Sequence, residues 1–164
     1  LFRSAINTVF KGITDTTIIN GLRRVKNPCR FQYIKSKNLI VDGAHNPNCF
    51  QALRTNLDRF FYNTKKQYVF GCLNTKDYRN MLKNLLEDAT DTVCFYPYHF
   101  DNKNACSYES IKSVIPDNIE VGNFSRLDDI LRDDVLTVVC GSFYMLDELL
   151  TDEIKNMVMV DVSI

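Results

Sequence analysis

Neither sign of charge is in excess, because 20 Lys and Arg balance 20 Asp and Glu across the 164 residues. Without net positive charge the chain lacks the broad basic surface on which duplex or single-stranded nucleic acid depends, so no nucleic-acid partner is expected. Long hydrophobic runs are missing as well. A stretch such as Val135 to Cys140, already interrupted by Thr137, falls far short of the ~20 residues that span a bilayer. No charged-then-apolar leader opens the chain, so neither a membrane nor secretion is expected; the expected location is the cytoplasm, with a mitochondrial form left open. The six cysteines, at 29, 49, 72, 94, 106 and 140, form no Cys-x-x-Cys pair, in a chain too long to need disulfide staples. Cys72, Cys94 and Cys140 lie in or beside apolar runs and read as small buried hydrophobes in a reduced compartment, with no metal site among them. Glycine-rich phosphate motifs are also lacking: there is no GxGxxG and no Gly-Lys-Ser/Thr, so any nucleotide phosphates must be held mainly by other groups.

What is present is material for a core. Hydrophobic residues make up 45% of the chain and aromatics 12%, enough for one compact domain or slightly more. The sequence begins at Leu1 inside a helical pattern (Phe2, Ala5, Ile6, Val9, Phe10), which reads as part of a longer polypeptide. Thr14-Asp15 can cap a second helix through Ile18, Ile19 and Leu22, ended by Asn27-Pro28. Arg30 to Ile34 and Asn38 to Asp42 read as two strands of a hairpin joined by Lys35-Ser36-Lys37. From there strands and helices alternate. Helical faces run over Asn48 to Phe61, Asp77 to Glu87, Tyr108 to Ile115, Leu127 to Leu131 and Phe143 to Leu150. Strands run over Gln67 to Phe70, Thr92 to Tyr96, Ile119 to Val121 and Leu136 to Cys140. The tail from Thr151 to Ile164 shows no clear period and is left without an element. This order predicts an α/β, Rossmann-like domain: a mostly parallel sheet with helices on both faces and an antiparallel edge hairpin. Ligands of such sheets bind beyond the carboxyl ends of the strands. Here those ends read Asp42-Gly43, Phe70-Gly71 and Cys140-Gly141, three glycine-bearing loops on one edge.

The most informative segment is Asp42-Gly43-Ala44-His45-Asn46-Pro47, between a buried strand and an amphipathic helix. Helix-start chemistry accounts for part of it: Asn46 caps, Pro47 takes the first helical position, and Gly43 permits a tight turn. It leaves a carboxylate and an imidazole at the strand end without a structural task. Asp42 suits ribose hydroxyls and His45 suits a carboxylate or phosphate. Lys76, in Gly71-Cys72-Leu73-Asn74-Thr75-Lys76-Asp77, stands just before a helix that Thr75 or Asp77 can cap, and is either a solvated charge or a site residue. Gly141-Ser142 is either a plain turn and cap or part of the same edge. Arg30 is an edge-strand cation, and His99, in Tyr96-Pro97-Tyr98-His99-Phe100, reads as a loop or core histidine ranked below His45.

Taken in order, Gly21-Leu22, Asn27-Pro28-Cys29-Arg30-Phe31, Asp42-Gly43-Ala44-His45-Asn46-Pro47, Gly71 to Asp77, and Gly141-Ser142-Phe143-Tyr144 resemble the C-terminal part of the folylpolyglutamate synthase and dihydrofolate synthase family. The Asp-Gly-Ala-His-Asn-Pro run is the most specific, since the related Mur cell-wall ligases usually depart from it. Cys29 stands where the family usually has glycine, a departure that bears on the local backbone, while the guanidinium at Arg30 is retained. The resemblance implies an ATP-dependent amide ligase in which a P-loop central domain and a Rossmann-like C-terminal domain close around substrate. Residues 1–27 would be the end of the central ATPase domain and a linker, and residues 28–164 the C-terminal domain. The implied cofactors are ATP and Mg²⁺, the latter held in the missing P-loop domain of the same polypeptide. The implied substrates are a folate or dihydropteroate and L-glutamate. Arg30 would reach the ATP phosphates and Asp42 the ribose or base. His45 and Ser142 would contact glutamate or the acyl phosphate, and Lys76 matches the lysine of the family's Lys-Asp loop, which puts His45 and Lys76 forward as catalytic candidates. Two other readings stand beside this one: a non-catalytic nucleotide- or partner-binding module of the same fold, and a Mur-type peptidoglycan ligase domain.

Overall fold

A computed structural model describes residues 12–25, 27–87 and 90–160. The opening helical pattern from Phe2 to Phe10 lies outside them. The first described helix, α1 (Asp15–Arg24), starts where Thr14 Oγ1 accepts from the Thr17 N–H at 3.2 Å. Next come β1 (Gln32–Ile34), a 3₁₀ turn at Lys35–Lys37, β2 (Leu39–Asp42), α2 (Pro47–Phe60) and β3 (Lys66–Phe70). They are followed by α3 (Tyr78–Leu86), β4 (Thr92–Pro97), α4 (Tyr108–Lys112), a second 3₁₀ turn at Leu127–Asp129 and β5 (Leu136–Cys140). Helices α5 (Phe143–Leu149) and α6 (Asp152–Val160) close the described chain.

The five strands form one sheet in the order β1-β2-β5-β3-β4. The β1–β2 pair is antiparallel and every other pair is parallel. The Lys35–Lys37 turn closes the hairpin because Asn38 takes the left-handed conformation, φ 46°, which asparagine tolerates better than most residues. Along β2, β3 and β5 both faces are apolar, as central parallel strands require. Ile40, Tyr68, Phe70, Val138 and Cys140 point to the face covered by α2, α3 and α4 through residues such as Phe50, Leu53, Met81, Leu85 and Ile111. Leu39, Val41, Val69 and Val139 point to the opposite face, covered by Met145, Leu146, Ile154 and Val158 of α5 and α6. Cys72, Cys94, Cys106 and Cys140 are buried free thiols, as small hydrophobes would be. Register sets the functional edge: Asp42 pairs with Cys140, Cys140 with Phe70, and Phe70 with Pro97. Four strands therefore end level, and the loops after them share one rim. Among the described residues no helix is long and apolar enough to cross a membrane.

Several sequence expectations change. The first strand starts at Gln32 rather than Arg30, because Cys29 (φ 56°) and Phe31 (φ 47°) both take left-handed backbone, which no strand accommodates. The segment Ile119 to Val121 makes a single bridge, Phe95 to Val121, instead of a strand. The helix expected over Leu127 to Leu131 is one 3₁₀ turn, whose first N–H groups are met by Asp129 reaching back to the Arg126 N–H at 2.9 Å. The tail does form a helix: Ile154 and Val158 are buried four residues apart, a period masked in the sequence by Met157, Met159 and Val160 around them.

Candidate functional site at the carboxyl edge of the sheet

Asp42 ends β2 and is buried. Its Oδ2 accepts from the Phe31 N–H and its Oδ1 from the Ala44 N–H, both at 2.7 Å. Beside them the Gly43 N–H donates to the Cys29 carbonyl at 2.7 Å. These bonds staple the loop after β2 to the loop before β1. Burial pushes the Asp42 carboxyl above its usual range, and the Phe31 and Ala44 N–H groups, Arg30 and His45 oppose that rise. The same staple requires the left-handed turn at Cys29, the conformation a glycine takes without strain. The cysteine adopts that backbone here, with φ 56°.

Arg30 sits on this stapled loop with its side chain exposed. Its Nη1 donates to the Gly43 carbonyl at 3.4 Å, and the guanidinium carbon lies 5.0 Å from the centre of the Phe143 ring. His45 is half-buried at the start of the loop into α2. Its Nδ1 lies 2.8 Å from the Gly43 carbonyl oxygen; a carbonyl only accepts, so Nδ1 carries the proton and Nε2 is left as the outward-working nitrogen. Asn46 caps α2, accepting from the Cys49 N–H at 2.9 Å. Gly43, in contrast to the tight-turn reading, is not among the glycines with positive φ. A Cβ there would fall 2.2 Å from a carbon of the Phe143 ring, so a larger residue would have to move that ring, and no backbone strain is involved.

Two further loops complete the rim. Lys76 is exposed, and its N–H donates to the Leu73 carbonyl at 3.0 Å; Asp77, rather than Thr75, caps α3. Gly141 has φ 128°, and a Cβ there would meet the Gly71 carbonyl oxygen at 2.4 Å, so glycine is required on both counts. Ser142 is buried and caps α5, its Oγ accepting from the Tyr144 N–H at 3.2 Å.

These loops enclose a cleft of about 290 Å³ lined by His45, Leu73, Lys76, Gly141, Ser142, Phe143 and Tyr144. His45, Lys76 and Ser142, named from the sequence, come together there. Arg30 and Asp42 do not line it: Arg30 lies against Phe143, and Asp42 lies beneath the loop with both oxygens on main-chain N–H groups. His99 belongs elsewhere, its Nδ1 3.0 Å from the Cys106 carbonyl oxygen. The residue without an assigned role from sequence is Phe143, whose signal was its place beside Ser142 at a strand-end glycine. None of Arg30, His45 and Lys76 forms an ion pair among the described residues. Exposed cations without an ion pair, here Arg30 and Lys76, suit an anionic ligand. No three His, Cys, Asp or Glu side chains cluster as a metal ion would require, again among the described residues.

A mostly parallel sheet whose strand ends gather Arg30, His45, Lys76 and Ser142 on one rim defines a Rossmann-like domain. The chain belongs to the Mur ligase family as its glutamate ligase domain, whose model matches residues 29–143. It is 27% identical over 128 residues to the dihydrofolate synthase/folylpolyglutamate synthase of Bacillus subtilis, covering 77% of this chain and 28% of that protein. A probable bifunctional folylpolyglutamate synthase/dihydropteroate synthase of Haloferax volcanii is 35% identical over 83 residues, which is 50% of this chain and 10% of that one. The crystal structure of the Yersinia pestis bifunctional folylpolyglutamate synthase/dihydrofolate synthase complexed with AMPPNP and a Mn ion superposes with a TM-score of 0.69 at 25% identity, over 84% of this chain and 34% of that one. The chain therefore spans roughly a third or less of these relatives and corresponds to the C-terminal domain of such synthases.

Proposed function

We propose that this chain serves as the C-terminal domain of an ATP-dependent ligase that adds L-glutamate to a folate or a dihydropteroate. The observation that carries the reading is the meeting of His45, Lys76 and Ser142 in one cleft at the strand ends, with the exposed guanidinium of Arg30 next to it. Bound ATP supplies the phosphoryl group that turns the acceptor's carboxyl into an acyl phosphate. Arg30 meets phosphate oxygens with its remaining N–H donors, and its planar fork matches them better than a lysine would. Asp42 acts on the nucleotide side chiefly through the loop it staples, holding Arg30 at the rim. His45 Nε2 and the Ser142 hydroxyl hold glutamate, and Lys76 stabilises negative charge as the tetrahedral intermediate forms. Any divalent ion would be held by the P-loop domain contributed by the rest of the polypeptide, with residues 1–27 leading from that domain. A cytoplasmic location is part of the same reading, and six free thiols suit it.

The test is an assay of glutamate-dependent ADP formation by the full-length polypeptide with dihydropteroate and with tetrahydrofolate as acceptors. Turnover with either supports the reading and tells the two synthase activities apart. ATP binding without glutamate-dependent turnover on either acceptor would favour the non-catalytic module. The 164-residue chain alone should release no ADP above blank, since an acyl phosphate needs both domains to exclude water.

A further inference from the structure

Phe143 opens α5 and is 43% exposed, whereas Met145, Leu146 and Leu149 of the same helix are buried. An aromatic ring left this open gains little from burial, so its neighbours decide what it is for. It stands over Gly43, where a Cβ would fall between 2.2 and 2.7 Å from three ring carbons. The Arg30 guanidinium carbon is 5.0 Å from its centre, and the His45 ring centre is 6.1 Å away. It also forms the wall between the 290 Å³ cleft and a separate apolar groove of about 320 Å³ bordered by Pro28, Leu146 and Val158.

We propose that Phe143 is a positioning residue of the ligase site, a ring seated on Gly43 that holds the Arg30 guanidinium and screens His45 from the apolar groove. This inference rests on the ligase reading above. The Arg30 side chain has one hydrogen bond among the described residues, at 3.4 Å, at the weak end of the range, and a long exposed side chain so held samples many rotamers. An aromatic face restricts a planar cation without using its N–H donors, so the donors stay available for phosphate oxygens. With no Cβ, Gly43 lets the ring lie close against its backbone. Phe143 reaches the reaction through Arg30 and His45 rather than by touching the reacting atoms.

In the full-length polypeptide, Phe143→Leu keeps the apolar volume and removes the ring, and Gly43→Ala pushes the ring off its seat. Each should lower kcat/KM for ATP roughly 10- to 100-fold, the usual scale for a misplaced catalytic contact, with the melting temperature of Phe143→Leu close to that of the parent. Phe143→Tyr, which restores the ring, should recover most of the loss. The loss in kcat/KM for ATP on combining Phe143→Leu with Arg30→Ala should be clearly smaller than the product of the two single losses, because both remove one placed guanidinium. Parental kinetics in Phe143→Leu, or additive losses in the double variant, would overturn the proposal. A second readout separates it from the ligase reading. In the 164-residue chain the Arg30 Nε–H proton should show a ring-current shift that Phe143→Leu abolishes and Phe143→Tyr keeps. Absence of that shift in the parent chain overturns the proposal whatever the assay shows. The shift together with no glutamate-dependent turnover overturns the ligase reading and, with it, the role assigned to the ring.

Discussion

The two ends of the sheet treat charge in opposite ways. At the amino-terminal edge, Lys66 opens β3 completely buried, yet its Nζ donates to the Phe61 and Thr64 carbonyls at 2.9 Å each and to the Asp91 carboxylate. Arg54 nearby is bound to Asp58, with Nη2 2.9 Å from Oδ1, and its Nη1 lies 4.0 Å from Asp91. At the carboxyl edge, Arg30, His45 and Lys76 share a rim with a buried carboxylate, and Asp42 gives its oxygens to main-chain N–H groups instead. The same kinds of side chain are thus closed off at one end and kept open at the other. A buried cation needs all its partners or the fold loses heavily, whereas cations left unpaired at a rim cost little there and attract an anion. The first edge is architecture and the second is the candidate site.

The largest effect that would sharpen this contrast is at the closed edge. Asp91→Ala strands a buried ammonium and should cost about 3 kcal/mol, the low end for breaking a buried pair, lowering the melting temperature by roughly 10 °C. In the full-length polypeptide, on the proposed ligase reading, it should leave the ratio of the ATP and glutamate KM values unchanged; a selective change in either would mean that this edge also reaches substrate. At the open edge the pattern reverses. Arg30→Lys should reduce kcat/KM for ATP by about one to two orders of magnitude, the value of a lost charged hydrogen bond, at an unchanged melting temperature. His45→Ala and Ser142→Ala should each raise the glutamate KM about tenfold and more than the ATP KM. Ser142→Ala should also lose about 1 kcal/mol of stability as the α5 cap disappears. A fall in melting temperature without any change in either constant would reduce both residues to helix starts.

The smallest effect concerns pH. Burial raises the Asp42 carboxyl above its usual range, so between the unfolded and folded values the native state holds a proton that the unfolded chain has lost. Stability from this group is therefore full at low pH and falls as pH rises through the raised value, by at most about 1.4 kcal/mol per pH unit. Asp42→Asn should remove that slope in denaturant titrations across the acid range, while losing stability overall because an amide cannot accept from both Phe31 and Ala44. A slope unchanged by the substitution would show that another group sets it.

Much of the scaffold was legible because its signals are local. Caps act within four residues, so Thr14, Asn46, Asp77 and Ser142 mark helix starts in the bare sequence, and short apolar runs along β2, β3 and β5 identified the central strands. The rim of glycine loops followed from strand ends alone, as did the gathering there of His45, Lys76 and Ser142. Where the local signal was weak, the reading slipped: Leu127 to Leu131 carries a helical spacing, yet one 3₁₀ turn suffices before β5, and the α6 period disappears among apolar neighbours.

Hydrophobic period and capping are properties of a few consecutive residues, so the bare chain was enough for the central strands, most helix starts and the residue types at the strand ends, but not for the tail helix. Only the tertiary structure decided what those residues do to one another. It bound both Asp42 oxygens to main chain, turned Cys29 and Phe31 left-handed to close that staple, and set Phe143 on Gly43 beneath the Arg30 guanidinium. Those contacts join loops far apart in the chain. Their distances depend on how helices and sheet pack, and no window of sequence encodes that packing.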